Sequence, residues 1–210
     1  MKHLFVTAAA VAAACALGAC HKTGSNAGKD VVNPADSAPV NAVQDAAAGA
    51  VGMASSATTP KTADAFVPAA AMANMYEIQA AKIAEMRAQS PDVKGLAKMM
   101  VMDHTKAGQE MDKALKASGL SLAPPAGLDD RRKGMLQNLK AAGDSDFDLA
   151  YLHQQLAAHM EALTLMNGYA KDGDDASLKA FAAQTAPVVQ KHLDEVKRIG
   201  GDKLKAMGPG

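Results

Sequence analysis

Apolar residues recur at spacings of three and four along most of the chain after residue 62, as in helices that bury one face. The pattern predicts four long helices and a short one, over residues 63–89, 91–118, 128–142, 147–171 and 176–199. No run of alternating β-branched residues is long enough for a strand. We therefore predict an all-α domain in which four long helices form an antiparallel bundle with one short extra helix.

Several helix ends can be read from individual residues. Ser90 followed by Pro91 is a favourable helix start, because serine caps the free backbone donors and proline needs none at the first position. Gly119 is a favourable residue just beyond a helix end. The pair at 200–201, two glycines, is expected to stop the last helix, and Pro187 within that helix predicts a kink.

The first 19 residues have the pattern of a secretory signal. A charged start is followed by an apolar stretch from Leu4 to Leu17, which is shorter than the roughly 20 residues of a membrane-spanning helix. Leu17-Gly18-Ala19-Cys20 resembles the lipobox of bacterial lipoproteins. The resemblance implies that Cys20 becomes the lipidated N-terminus; an ordinary signal peptide cleaved elsewhere is the alternative.

The two cysteines are then both accounted for, since Cys15 is lost with the signal and Cys20 carries lipid. No thiol remains for a disulfide, so the exported domain must be held by its core, or by a core and a metal. Lipid at Cys20 would anchor the protein to a membrane. His21 stands where an Asp usually retains lipoproteins in the inner membrane, which favours the outer membrane with the domain facing the periplasm.

Residues 20–62 are rich in small and polar residues and have no aromatic side chain, so we predict a disordered, flexible tether. Residues 63–205 are predicted to form a single domain. With 22 basic and 22 acidic residues the formal net charge is zero, and no basic stripe exists for nucleic acid. Protein partners cannot be named from these features.

Each long helix carries one polar, metal-ligating residue within its apolar stripe, namely Glu77, His104, His159 and His192. Glu77 lies 13 residues before Ser90 and His104 lies 14 after it, so an antiparallel hairpin sets them level. Three imidazoles and one carboxylate suit Fe, Cu or Zn, and bundle cores are common places for such sites. Nearby methionines would favour copper: Met99, Met100, Met102 and Met160.

Alternatives to a metal or redox site remain open. In one, the histidines only fix the packing register through hydrogen bonds to Thr185, Tyr151 or backbone. In another, the protein is a peroxide- or oxygen-handling enzyme, although no nucleophile elbow, phosphate-binding glycine loop or Glu-x-x-His element is present. Asp103 is expected to point about 100° away from His104, and His153 and Glu161 are expected to be solvated.

Four stretches together resemble one known family over about 63–199. They are Val93-Lys94-x-Leu96-Ala97 continuing to Asp103-His104-Thr105, Phe147-Asp148-x-x-Tyr151 leading to His159, Asp175-x-x-Leu178-Lys179-x-Phe181-Ala182, and Thr185-x-Pro187 leading to His192-Leu193, with Phe66-Val67 and Glu77 upstream. The chain resembles the DUF4142 family of exported or outer-membrane proteins. The resemblance implies a ferritin-like helical bundle and supplies no activity. It leaves envelope stress protection through a bound metal, or a cofactor-free structural role, as the functions to test.

Overall fold

The computed structural model describes residues 59–206 together with Asp45 and Gly49. All regular elements in this part of the chain are helices: α1 (Ala63–Arg87), α2 (Pro91–Ser118), α3 (Asp130–Ala141), α4 (Phe147–Asp172) and α5 (Ala176–Ala206). The all-α prediction is confirmed, and the predicted helix ends lie within two residues of the observed ones except at the end of α5.

The start and end of α2 follow the chemistry of their residues. The Ser90 hydroxyl accepts a hydrogen bond from the Asp92 backbone amide at 3.2 Å, and Pro91 occupies the first helical position. At the other end Gly119 adopts φ 70°, a left-handed conformation that glycine reaches without a steric penalty. These two boundaries explain why a sequence pattern located α2 so well.

The end of α5 confirms the predicted break at Gly201, but helical structure extends beyond it. Gly201 does leave the helical region, with φ 51° and ψ −134°, but the helix resumes after it and continues to Ala206. The resumed turn places Leu204 against the core, where only 7% of it is exposed, and this burial favours continuation over a stop. Helical dihedrals also continue through Pro187.

The four long helices form a closed ring in the order α1, α2, α5, α4, each packing against two others. Three-residue connections make α1 antiparallel to α2 and α4 antiparallel to α5. Asp148, at the start of α4, accepts from the backbone amides of Gln89 and Ser90 at 2.9 and 2.7 Å. Asp174, just after α4, accepts from the Ala63 amide at 2.9 Å. All neighbours in the ring are therefore antiparallel.

This arrangement requires one long connection between α2 and α4, because α2 ends at the opposite end of the ring from where α4 begins. The connection contains α3, which packs on α1 and α4. Arg87 holds the end of α3 by donating to the carbonyls of Leu139, Lys140 and Ala142 at 3.2, 2.6 and 2.6 Å. A guanidinium at this position satisfies the last carbonyls of a helix and complements its dipole.

The start of α3 is held by a buried charge cluster. The Arg132 side chain, 9% exposed, donates to Glu161 on α4 at 3.0 Å and to Asp129 at 2.5 Å. Arg131 donates to both carboxylate oxygens of Glu161, at 2.9 and 3.0 Å. The position of Glu161 off the α4 stripe predicts a solvated side chain. That prediction is wrong, because Glu161 joins α3 to α4.

Replacing Glu161 with glutamine should lower the free energy of unfolding by about 1–2 kcal/mol, because Arg132 keeps Asp129 but loses its second anion in a poorly solvated place. Urea denaturation followed by circular dichroism measures the change. The matched control is Glu195→Gln, which removes a carboxylate from the exposed pair with Arg198 and should have no measurable effect. Equal losses in both variants would contradict a special role for the α3–α4 cluster.

The core consists of two apolar clusters at different heights of the ring. One contains the last part of α1 and the first parts of α2 and α4, with Tyr76, Leu96 and Phe147 among its buried residues. The other contains the opposite ends, where Phe66 stacks on Tyr169 with ring centroids 3.9 Å apart. Buried polar residues separate the two clusters, and they include the four residues that interrupt the apolar stripes.

The predicted signal, Cys20 and most of the predicted tether lie outside the described residues. Several positions within 20–62 nevertheless contact the helices; the Lys61 carbonyl, for example, accepts a hydrogen bond from the Asp174 amide at 3.0 Å. Asp45 accepts hydrogen bonds from Asn138 at 2.9 Å and Gln154 at 2.6 Å, and Gly49 is buried. The contacts of Asp45 have no signature in the sequence, because a single carboxylate that pairs two side-chain amides leaves no hydrophobic pattern. Among the described helices, none has the length and apolarity to cross a membrane.

Candidate metal centre

His104, His159 and His192 meet between the two apolar clusters, each supplied by a different long helix. Their ring centroids lie 5.7 Å apart for His104 and His159 and 5.4 Å apart for the other two pairs. One nitrogen from each ring lies within 4.8 Å of the other two. The exposed fractions are 7, 1 and 0%, so the three rings are withdrawn from water. The structure thus brings together three of the four residues predicted to form a site.

Each histidine uses one ring nitrogen in a hydrogen bond to an oxygen outside the trio. These bonds join His104 Nδ1 to Asn74 Oδ1 at 3.0 Å, His159 Nδ1 to the Gln155 carbonyl at 2.9 Å, and His192 Nε2 to Asp103 Oδ2 at 2.9 Å. The partners are acceptors, so the neutral imidazoles donate through these nitrogens. Carbonyl and carboxylate partners of this kind fix the tautomer and orientation of metal-binding histidines.

The remaining nitrogens, His104 Nε2, His159 Nε2 and His192 Nδ1, are buried and have no hydrogen-bond partner. With the other nitrogen protonated, each of these atoms carries an unshared lone pair. An unsatisfied buried acceptor costs about 1–3 kcal/mol, and three of them in one place would be a considerable burden on a folded protein. A cation accepts all three lone pairs at once.

The histidines are ready to bind a cation without first losing protons. Burial lowers the pKa of His159 to about 3, with a further contribution from His192. Burial also lowers the pKa of His104 well below its usual value, and it lowers that of His192 despite the opposing effect of Asp103. All three imidazoles are therefore neutral at physiological pH, the state in which they ligate metals.

Glu77, the fourth predicted ligand, is buried beside the trio. Its Oε1 lies 3.8 Å from His159 Nδ1, which is the nitrogen bonded to the Gln155 carbonyl and not the free one. Burial raises the pKa of Glu77 to about 8, so the carboxyl and the neutral His159 do not form an ion pair at pH 7. Glu77 lines the same cavity as His104 and His159, and its direct ligation of an ion stays a prediction.

The supporting residues were the part of the site that the sequence did not predict. The Asp103 side chain leaves its helix about 100° from that of His104, as expected from the sequence. That direction carries it to His192 on the neighbouring helix, so it supports a histidine of α5 and not one of α2. Asn74 contacts His104 from the neighbouring helix, and Gln155 supplies only its backbone carbonyl to His159, so neither contact has a signature in the sequence.

Other expectations near the site need correction. Thr185 donates to the Phe181 carbonyl, and the Tyr151 hydroxyl has no partner, so neither holds a histidine. His153 is only half-buried, and its Nε2 is withdrawn from solvent without a hydrogen-bond partner. The methionines expected near the site lie elsewhere: Met102 and Met160 are exposed and Met99 and Met100 belong to an apolar cluster, whereas Met111 and Met166 line the cavity.

Comparison with known proteins shows that this chain matches one protein family. A family model described as "Domain of unknown function (DUF4142)" matches residues 48–199, a span that holds all three histidines and Glu77. The match begins earlier than the resemblance read from the motifs and includes Gly49, which contacts the bundle. No curated protein and no solved structure matches the chain.

Proposed function

We propose that this chain, which belongs to the DUF4142 family, is a cell-envelope lipoprotein whose helical bundle binds one transition-metal ion. The observation that carries the proposal is the group of three buried, unpaired imidazole nitrogens, one on each of α2, α4 and α5. Metal–imidazole bonds of about 2.0–2.1 Å would hold three such nitrogens close together around one ion.

The ion is a first-row transition metal with an affinity for imidazole, namely iron, copper or zinc. Hard cations such as magnesium need oxygen ligands that this trio does not offer. The thioethers of Met111 and Met166 border the adjoining cavity and would favour copper in its reduced state. In the envelope, such a site suits metal handling or protection against oxidative stress.

The ring of antiparallel helices with one long crossover supports a ferritin-like bundle, since that fold has one such connection. In such a bundle the three histidines lie on facing helices, near the middle of each helix and away from its ends. The chain departs from carboxylate-bridged bundles in its donors, because no Glu-x-x-His element precedes His104, His159 or His192. Imidazole, not carboxylate, therefore dominates the proposed site.

Equilibrium dialysis of the detergent-purified, full-length protein against Fe, Cu and Zn, followed by elemental analysis, tests the proposal. At a free-metal concentration that just saturates the natural protein with one ion per chain, we expect far less than one ion per chain in His104→Gln or His192→Gln. His153→Gln is the matched control, because it removes a half-buried histidine of α4 outside the trio. Lack of metal in the natural protein would contradict the proposal and would favour the cofactor-free structural role.

The envelope location rests on the Leu17-Gly18-Ala19-Cys20 pattern and is tested separately. Cells expressing the protein should incorporate labelled palmitate into it, and fractionation should place it in the outer membrane. Cys20→Ser should abolish the labelling, whereas Cys15→Ser, within the signal, should retain it. Labelling that survives Cys20→Ser would show that the resemblance to a lipobox is misleading.

Gly108 allows a further test of the side chains that orient the histidines. An alanine Cβ there would lie 3.2 Å from Asn74 Nδ2 and would crowd the side chain that orients His104. Gly108→Ala should therefore weaken metal binding about tenfold, the lower end of effects seen for supporting residues.

The matched control is Gly95→Ala on the same helix, where an added Cβ meets nothing within 4 Å. It should stabilise the protein by about 0.5–1 kcal/mol through helix propensity and leave metal affinity unchanged. Isothermal titration measures the affinities and urea denaturation the stabilities. If Gly108→Ala bound metal as tightly as Gly95→Ala, Asn74 would have no part in orienting His104.

A further inference from the structure

A cavity of about 30 Å³ adjoins the histidine trio. His104 and His159 form part of its wall, and His192 does not. An ion bound by the three free nitrogens would therefore have one side covered by the His192 ring and another side facing the cavity. One further side chain with an unpaired atom lines the cavity, since Glu77 Oε2 has no hydrogen-bond partner.

The size of this cavity limits what it can hold. A space of about 10–15 Å³ on this measure accepts one water molecule, so 30 Å³ accepts two or three non-hydrogen atoms. Small alanine side chains create the space on three helices: Ala70 and Ala73 on α1, Ala107 on α2 and Ala162 on α4. Larger residues at these positions would fill it.

The chemistry of the wall is uneven. Apolar side chains such as Met111, Met166 and Phe181 form most of it, and they cannot pair with a charged or strongly hydrated group. The polar residues in the wall are Asn74, Glu77, His104, His159 and Thr185. Asn74 Oδ1 is already engaged by His104 and the Thr185 hydroxyl by the Phe181 carbonyl, whereas Glu77 Oε2 has no partner and can hydrogen-bond to a new ligand.

Resting on the proposed metal site, we infer that the bound ion keeps one coordination position open toward this cavity. The position takes an exogenous ligand of two or three non-hydrogen atoms, such as azide or a dioxygen-derived anion, through a nitrogen or oxygen atom. Glu77 hydrogen-bonds to that ligand, and the apolar wall excludes larger ones. An open position of this kind distinguishes reactive metal sites from purely structural ones, whose coordination is closed.

Azide titration of the copper(II)-loaded, full-length protein tests this inference, with copper chosen because it binds imidazole sites tightly. We expect a new azide-to-copper charge-transfer band that saturates with azide, and no comparable spectral change with imidazole, which is too large for the cavity. Ala107→Val and Ala162→Val each add two methyl groups to the wall and should weaken azide binding at least tenfold while retaining one copper per chain.

Ala114→Val is the matched control, because Ala114 is also half-buried on α2 but lies outside the cavity wall. It should bind azide like the natural protein. Copper binding without an azide band, or imidazole binding as readily as azide, would overturn this inference and leave the metal site intact. Azide affinity unchanged in both cavity variants would also overturn it. Failure to bind any metal would overturn the proposed function as well.

Discussion

Replacing His159 with glutamine is expected to abolish the stabilisation that metal gives the natural protein. At a thousandfold excess of free metal over Kd, binding to the folded state alone adds about 4 kcal/mol to the free energy of unfolding. His159 is 1% exposed and its free Nε2 has no other partner, so its loss removes one of three ligands from a site that water cannot complete easily.

Glutamine is chosen over alanine because it keeps much of the volume and avoids a large cavity. The measurement is urea denaturation with and without saturating Zn²⁺, compared with His153→Gln on the same helix. His153→Gln should retain the full metal-dependent increase. An equal increase in both variants would show that zinc stabilises the protein from some other site.

Acidification is expected to destabilise the metal-free protein steeply below pH 6.5. Burial lowers the folded-state pKa values of His104, His159 and His192, so the folded protein binds fewer protons than the unfolded chain once pH falls below 6.5. Each such histidine lowers the stability by up to about 1.4 kcal/mol per pH unit, and for His159 the window extends from 6.5 to about 3.

Glu77 acts in the opposite direction, because burial raises its pKa to about 8. Between pH 4.5 and 8 the folded protein binds the extra proton, so the stability due to Glu77 is present at low pH and is lost as pH rises. Together, these titrations predict that the free energy of unfolding is highest near pH 6.5. It should fall by about 1–3 kcal/mol per pH unit on the acid side and by less toward pH 8.

Urea denaturation at pH 5, 6.5 and 8 with a metal chelator present checks this profile. Glu77→Gln should remove the decline between pH 6.5 and 8 and steepen the loss below pH 6.5, because only the histidines then titrate. A flat profile from pH 5 to 8 would show that the imidazoles are solvated in the metal-free protein.

The helices could be predicted because their boundaries depend on local chemistry, as at Ser90 and Gly119. The choice of His104, His159 and His192 could be predicted too, because a polar residue in an apolar stripe is visible from spacing alone. The true end of α5 could not be predicted in this way, since the helical segment after Gly201 depends on the burial of Leu204 by distant residues.

The residues that orient the histidines could not be predicted from the sequence for a similar reason. Asp103 reaches His192 only because α2 and α5 are neighbours in the ring, and this adjacency has no local signature. Met111 and Met166 replace the predicted methionines at the cavity because rotation of α2 and α4 about their axes decides which sulfur faces inward. Contacts between helices, unlike helix ends, require the folded arrangement.

The polar layer also explains the division of the core. A continuous apolar core through the middle of the ring would be expected to stabilise the protein more than three buried imidazoles and a carboxyl do. The residues that interrupt it are held in orientation by Asn74, Gln155 and Asp103, which is the organisation of a binding site and its support.

X-ray absorption spectroscopy of the zinc-loaded, full-length protein tests the central claim most directly, because it counts the imidazoles around the ion. We predict three histidine ligands at about 2.0–2.1 Å, and two in His192→Gln prepared with enough zinc to load it. A zinc environment without histidine scattering, or one that His192→Gln leaves unchanged, would contradict a metal centre at the His104–His159–His192 trio.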